Sequence, residues 1–213
     1  MLHALLGRTD PELHAVDKNM LLARSLGCDS GDPDFPFPPL DLAPQLAQRL
    51  PAQYAVIASS AATLVKRWPA ANFGYLASKL PIPAIIVGGK SDVVLGDEIA
   101  ALSRGRAVSL AGNTNLIELA AIIGGAKFMV CADSGPMHIA AALNVPVFAV
   151  FGPTSPTRTG PYGKIHTIIR SDLPCSPCFK RKPCNDWRCM NGIKAEAVLN
   201  RIMEKIGVPG GIQ

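Results

Sequence analysis

Apolar residues in this chain fall into short runs bounded by polar turns, alternating with stretches where they recur every three or four positions. The short runs at 54–58, 84–87, 107–110, 127–132 and 147–151 read as strands, with 166–169 as a further one. The periodic stretches at 70–80, 95–102, 115–123, the segment after Ser134 and about 194–206 read as helices. Strands alternating with helices across short joins predict an α/β fold with a doubly wound parallel sheet. The strand runs are apolar throughout, as strands covered on both faces should be.

Upstream of residue 54 the rhythm differs. Residues 10–26 read as a helix with Leu13, Val16, Met20, Leu21, Ala23 and Leu26 along one side, ended by Gly27. Four prolines and three aspartates within 28–40 exclude a regular element, so this stretch reads as a strap or linker. A short helix is expected at 41–50. The chain therefore divides into a connecting region, 1–52, and a sheet domain, 53–213, carrying a Cys-rich loop at 174–190 and a closing helix.

Ligands of doubly wound sheets bind beyond the carboxyl ends of the strands, and every such end here is polar or glycine-rich. Ser59, Ser60, Thr63, Lys66, Arg67 and Trp68 follow the first strand. Gly88, Gly89, Lys90, Ser91 and Asp92 follow the second. Gly112, Asn113 and Thr114 follow the third. After the fifth come Gly152, Pro153, Thr154, Ser155, Thr157, Arg158 and Thr159. The fourth end is the densest: a buried strand at 128–132 breaks into Asp133, Ser134, Gly135, Pro136 and His138. Free backbone N–H groups and the positive helix end would make that turn an anion site.

Each of these side chains has a plain reading beside the chemical one. Lys66 and Arg67 suit a diphosphate, the first as a point charge and the second as a two-pronged donor; they also suit a solvated helix start. Asp133 could take sugar or ribose hydroxyls, or merely cap a helix. Ser134 and Gly135 could donate to phosphate, and His138 could donate a hydrogen bond or act on a proton near neutral pH. Gly88 and Gly89 allow close approach of a ligand, but match no dinucleotide fingerprint, and no Walker-type loop occurs. Trp68 and Pro69 read as packing and a helix start. Cys175, Cys178, Cys184 and Cys189 allow a zinc site, although the later spacings are wide for one; reduced structural thiols are the plainer reading. Cys28 and Cys131 read as ordinary buried thiols.

Composition narrows this picture modestly. A net charge of +5 suits anionic ligands, but only 6% of residues are aromatic and the basic residues are scattered apart from 180–182, so a nucleic-acid surface is not supported. No apolar stretch is long enough to span a membrane, and 2–6 is too short for the core of a signal peptide. The expected location is the cytoplasm, with at most peripheral contact at the inner face of the inner membrane, and there the cysteines should be reduced or metal-bound.

The run from Asp133 to Ala142 resembles the signature of the ADP-heptose:lipopolysaccharide heptosyltransferases, glycosyltransferase family nine. The run from Phe151 to Gly163 resembles that family's next segment, and Lys66-Arg67-Trp68-Pro69 its Lys-Arg-Trp-Pro element. The cysteine segment ending Cys189-Met190 is similar to that of many members. His14-Ala15-Val16-Asp17 resembles the connection between the family's two domains. The resemblance implies the C-terminal, donor-binding Rossmann-like half of a GT-B enzyme. It implies inverting, metal-independent transfer of heptose from ADP-heptose to the lipopolysaccharide inner core, with no cofactor. Carried over by position, Lys66 would meet the donor diphosphate, Asp133 the heptose hydroxyls, Ser134 and Gly135 the phosphates, and His138 the same loop. Arg67, Gly88, Gly89, Asn113 and Thr154 are further donor-site candidates, with adenine near Gly88 and 110–113. Two departures stand out: Ser59-Ser60 replaces a Pro-Gly-like turn, and the family's N-terminal domain, with its catalytic base, has no counterpart here. The alternative is a truncated or split nucleotide-sugar-binding module that needs a separate N-terminal half. An epimerase-like enzyme is disfavoured, because neither a Tyr-x-x-x-Lys pair nor a dinucleotide fingerprint is present.

Overall fold

The computed structural model describes residues 10–28, 31–180, 184 and 186–207 of the 213-residue chain. At its centre is a six-stranded, wholly parallel sheet in the order β3-β2-β1-β4-β5-β6. The strands are β1 (Ala55–Ala58), β2 (Ala84–Val87), β3 (Ala107–Ser109), β4 (Phe128–Ala132), β5 (Val147–Phe151) and β6 (Thr167–Arg170). Every residue of β1, β2, β4 and β5 is buried, which is why their sequences are unbroken apolar runs. The edge strand β6 instead alternates between half-buried and exposed positions. The predicted α/β, doubly wound class is the one observed.

Successive strand residues serve opposite faces. Ile57, Phe128, Val130 and Phe148 pack on one face with Phe73, Leu76 and Leu199, from α3 (Ala70–Lys79) and the closing helix α9 (Ala195–Ile206). Val56, Met129, Cys131 and Phe151 pack on the other with Ile122 of α5 (Leu116–Gly124) and Met137 of α6 (Gly135–Ala142). The full burial of each large apolar side chain contributes about 1.5–3 kcal/mol. The helix α4 (Val93–Leu102) completes the first layer beside α3. As expected, Trp68 is core: it is 2% exposed and its indole N–H donates to the Ile193 carbonyl at 2.8 Å, which ties the start of α3 to the start of α9.

Three expectations upstream of the sheet need correction. The first helix, α1 (Ala15–Ser25), begins well inside the predicted 10–26. The Asp10 carboxylate instead accepts from the Glu12 N–H at 2.8 Å and makes a turn, and His14 becomes the N-cap by accepting from the Val16 N–H. The helix expected at 41–50 shrinks to α2 (Pro44–Ala47), because Pro44 fixes a start and Leu46 is the one fully buried residue of the stretch, with Leu42 and Leu50 half-buried beside it. Cys28, read as buried, is exposed: Gly27 at φ +84 turns the chain away from α1 into the strap before any second layer forms. The strap has no regular structure at 31–40, as expected; residues 29–30 of it lie outside the described residues.

Tyr54 offers a test of how the sheet is sealed at its amino end. Its hydroxyl donates to the Ile122 carbonyl at 2.8 Å, and burial pushes its pKa above the ordinary tyrosine value. Such a group stabilises the fold below the unfolded-state pKa and ceases to do so as pH rises through its own, higher value. Tyr54→Phe should cost about 1 kcal/mol at neutral pH and unfold less steeply than the wild type above about pH 10. Urea titrations at the two pH values measure both.

Candidate functional site

The strand order places β1 next to β4, so the sheet grows in opposite directions from that pair and a crevice opens between the turns that follow them. A cleft of about 300 Å³ lies there, lined by Ser60, Ala61, Arg67, Asp92, Ser134 and Gly135 among others. After β1 the chain forms a 3-10 turn (Leu64–Lys66) that carries Lys66 and Arg67 to the rim. After β4, Ser134 is the N-cap of α6 and Pro136 sits in its first turn.

Lys66 and Asp133 join the two turns beside this cleft, Nζ to Oδ2 at 2.6 Å, although neither lines it. The Asp133 side chain is 8% exposed and that of Lys66 26%, so the pair is only partly screened by water. The Thr154 hydroxyl, from the turn after β5, donates to the same Oδ2 at 2.8 Å. Asp133 is therefore not the helix cap that its position allows. Ser134 occupies the cap position but makes no side-chain capping bond; its hydroxyl is buried without a partner. Ser59 Oγ, Thr63 Oγ1 and Arg67 Nε are buried and unpartnered as well. These atoms share the turn after β1 and the turn after β4. Buried polar groups are nearly always satisfied in folded proteins; of the five such atoms among the described residues, four sit in these two turns and the fifth, His166 Nδ1, lies elsewhere.

His138 stands exposed one helical turn beyond Ser134. Protein flanking its ring still desolvates it and lowers its pKa below the ordinary histidine value; Asp133 opposes that shift, while His14 and Lys66 add to it. Gly135 is exposed and a Cβ there would meet nothing within 4 Å. Packing therefore does not demand a glycine at this point on the crevice wall.

The remaining candidates are placed differently. A Cβ on Gly88 would meet Asp92 Cβ at 2.8 Å, and the Gly89 N–H donates to the Asp92 carboxylate at 2.8 Å. Both glycines thus serve a turn that Asp92 fills, and it is Asp92, with Ser91, that reaches the cleft. Asn113 is exposed and folds back to donate to the Ala111 carbonyl. The six cysteines are unbridged. Cys189 is buried against the core beside Met190, and its thiol pKa is raised by burial and then by Cys178, Cys184 and Cys175 nearby. Among the described residues no three His, Cys, Asp or Glu side chains are gathered to hold a metal ion; residues 181–183 and 185 of the Cys-rich loop lie outside them.

Sequence reasoning missed how the connecting helix is moored. Ser155 donates to Glu12 at 3.0 Å and Tyr162 to Asp17 at 2.7 Å. His14 Nδ1 accepts from the Val16 N–H, so its Nε2 carries the proton offered to the Gly160 carbonyl at 3.0 Å. Every partner is in the loop after β5, beside Thr154. The sequence signal was slight: acidic residues in the connecting segment (Asp10, Glu12, Asp17) and hydroxyl residues in the loop after β5.

Residues 7–187 match the family model for glycosyltransferase family 9 (heptosyltransferase). The lipopolysaccharide heptosyltransferase 1 of Pseudomonas aeruginosa is 33% identical over 206 residues, which cover 87% of this chain and 54% of that protein. The Escherichia coli lipopolysaccharide heptosyltransferase 2 is 38% identical over 112 residues, 49% of this chain and 32% of that one. Among solved structures, E. coli heptosyltransferase WaaC with ADP aligns with a TM-score of 0.64 at 26% identity over 92% of this chain and 58% of that one. The E. coli ADP-heptose heptosyltransferase II aligns at 0.62 and 27%, over 73% and 46%. The chain spans about half the length, or less, of these relatives. With the strand order, the crevice at the β1–β4 switch and the family match in agreement, this chain belongs to glycosyltransferase family 9, the heptosyltransferases.

Proposed function

We propose that this chain is the donor-binding, C-terminal half of a GT-B glycosyltransferase, and that its crevice holds ADP-heptose for transfer to the lipopolysaccharide inner core. Residues 1–52 connect it to an N-terminal half, which carries the base and most acceptor contacts. Residues 53–213 form the donor domain. The carrying observation is the set of unpartnered buried polar atoms on Ser59, Thr63, Arg67 and Ser134, beside the Lys66–Asp133 pair.

The diphosphate lies between the two turns. Ser134 Oγ, Arg67 Nε and the Gly135 N–H at the start of α6 donate to its oxygens, and the helix dipole favours its charge. Lys66 swings from Asp133 to the phosphates, and its released Asp133 takes heptose hydroxyls. As the glycosidic bond breaks, charge grows on the departing ADP, where Lys66 and the helix end already point; preorganised charge of this kind is usually the largest catalytic contribution. That supply of positive charge suits inverting transfer without a metal. His138, held neutral by its flanking protein, gains a reason to protonate when a phosphate arrives, so donor binding takes up a proton as pH falls toward its titration. The enzyme works in the cytoplasm, at the inner face of the membrane that presents its acceptor. Among the described residues no helix is long and apolar enough to cross that membrane.

Calorimetric titration with ADP and with ADP-heptose tests the reading; no saturable binding at millimolar ligand overturns it. The second reading is a non-catalytic nucleotide-sugar-binding module on the same crevice. A transfer assay with and without a supplied N-terminal half separates the two. Gly135 adds a sharper check. Gly135→Val should change unfolding free energy by no more than about 0.5 kcal/mol, because its Cβ enters open space. The same branched side chain stands where the phosphates pass, so ADP affinity should fall about tenfold or more.

A further inference from the structure

Thr154 touches the donor crevice only through Asp133: its hydroxyl proton is committed to Oδ2 at 2.8 Å. Lys66 bonds to the same oxygen. Both bonds fix one edge of the carboxylate and turn Oδ1, which neither of them uses, away from the pair. The segment that carries Thr154 is clamped on both sides. On one side, the Gly152 carbonyl accepts from Ser176 Oγ at 2.6 Å, and the Pro153 carbonyl accepts from the N–H groups of Cys178 and Phe179 at 3.1 and 2.7 Å. A Cβ on Gly152 would meet Met190 Sδ at 2.5 Å, so the chain there is pressed against the end of the cysteine segment. On the other side, Ser155 is held by Glu12 of the connecting region. A threonine between two fixed neighbours is a rigid post.

We propose that Thr154 is a positioning residue, which holds the Asp133 carboxylate in the orientation that receives the donor sugar when Lys66 leaves it for the diphosphate. The inference rests on the proposed donor site and adds what keeps Asp133 in place once its cation has moved. It also gives the cysteine segment work in this half of the protein: it braces the post from behind. With Lys66 engaged by phosphate, Thr154 is the hydrogen bond that remains on Oδ2 among the described residues. Without it, the carboxylate is free to rotate after Lys66, and the sugar loses an oriented acceptor. The effect should therefore fall on recognition of the sugar and spare the nucleotide.

The experiment uses the full 213-residue chain and compares Thr154→Val, Thr154→Ser and wild type by calorimetry with ADP and ADP-heptose, with thermal unfolding as a control on folding. Thr154→Val should bind ADP-heptose about tenfold more weakly, the scale of one lost hydrogen bond to a charged group, and bind ADP within about twofold of wild type. Thr154→Ser keeps the hydroxyl and should recover most of the sugar-dependent affinity. Equal loss for ADP and ADP-heptose, wild-type affinity in the valine variant, or a serine variant as weak as valine each overturns the positioning role. A wild type that binds neither ligand overturns the donor-site reading itself, and this proposal with it. A wild type that binds ADP but not the sugar nucleotide more tightly overturns the assignment of Asp133 to the sugar.

Discussion

Asp133→Asn is expected to bind ADP-heptose at least about tenfold more weakly than wild type and to bind ADP as well or better. The split follows from the geometry of the pair. Asp133 holds Lys66 at 2.6 Å, so a diphosphate has to take the lysine away from a carboxylate. Removing that charge frees the cation and lifts one negative charge from a crevice meant for an anion; both favour ADP. The sugar, in contrast, loses a charged acceptor and meets an amide that presents a donor as well. Stability should fall by about 1–2 kcal/mol, less than a fully buried pair would cost, because Lys66 is a quarter exposed and can be rehydrated. Titrations with the two ligands, alongside denaturant melts, read all three effects. Parallel losses of ADP and ADP-heptose would sink the assignment of Asp133 to the sugar. Loss of folding with no change in the ratio of the two affinities would return it to a structural role.

Much of the sheet was readable before any contact was known, because a strand buried on both faces leaves an uninterrupted apolar run. Residues 84–87 and 147–151 were bounded to the residue. The helix expected at 115–123 is found at Leu116–Gly124, and its start is set by reciprocal bonds between Asn115 and Glu118 that sequence reasoning did not single out. The connecting region was less legible, since its helix buries no residue and its limits are set by side chains that bend back on the chain, Asp10 and His14. In the site, the residue types and the strand ends that carry them were evident, but their pairing was not. Lys66, Asp133 and Thr154 lie far apart in sequence, and only the β1–β4–β5 neighbourhood brings one carboxylate oxygen between an ammonium and a hydroxyl. A cap and an ion pair look alike from sequence, because an aspartate before a helix suits both. Gly88 and Gly89 mislead for the opposite reason: two glycines at a strand end suggest room for a ligand, whereas Asp92 fills that room.

Lys66→Met should produce a different pattern from Asp133→Asn: about hundredfold weaker binding of ADP and of ADP-heptose alike. The lysine serves the diphosphate, which the two ligands share, and its loss leaves Asp133 facing the phosphates as an uncompensated like charge. Methionine keeps the length and the apolar stem packing, so the effect reports charge. Wild-type ADP affinity should fall with added salt, as an ammonium–phosphate contact at a partly open crevice requires, and the variant's dependence should be flatter. Folding stability gives an independent reading. A carboxylate that is 8% exposed and, among the described residues, keeps Thr154 alone as a side-chain partner should cost the fold about 2–3 kcal/mol. Combining Lys66→Met with Asp133→Asn removes both charges together, so the double variant should be more stable than the sum of the two single losses predicts, by about 1 kcal/mol or more. Strictly additive stability losses would mean that the two side chains do not hold each other in solution. ADP affinity unchanged by Lys66→Met would move the diphosphate off this lysine and leave Arg67 and the α6 helix end as its remaining anchors.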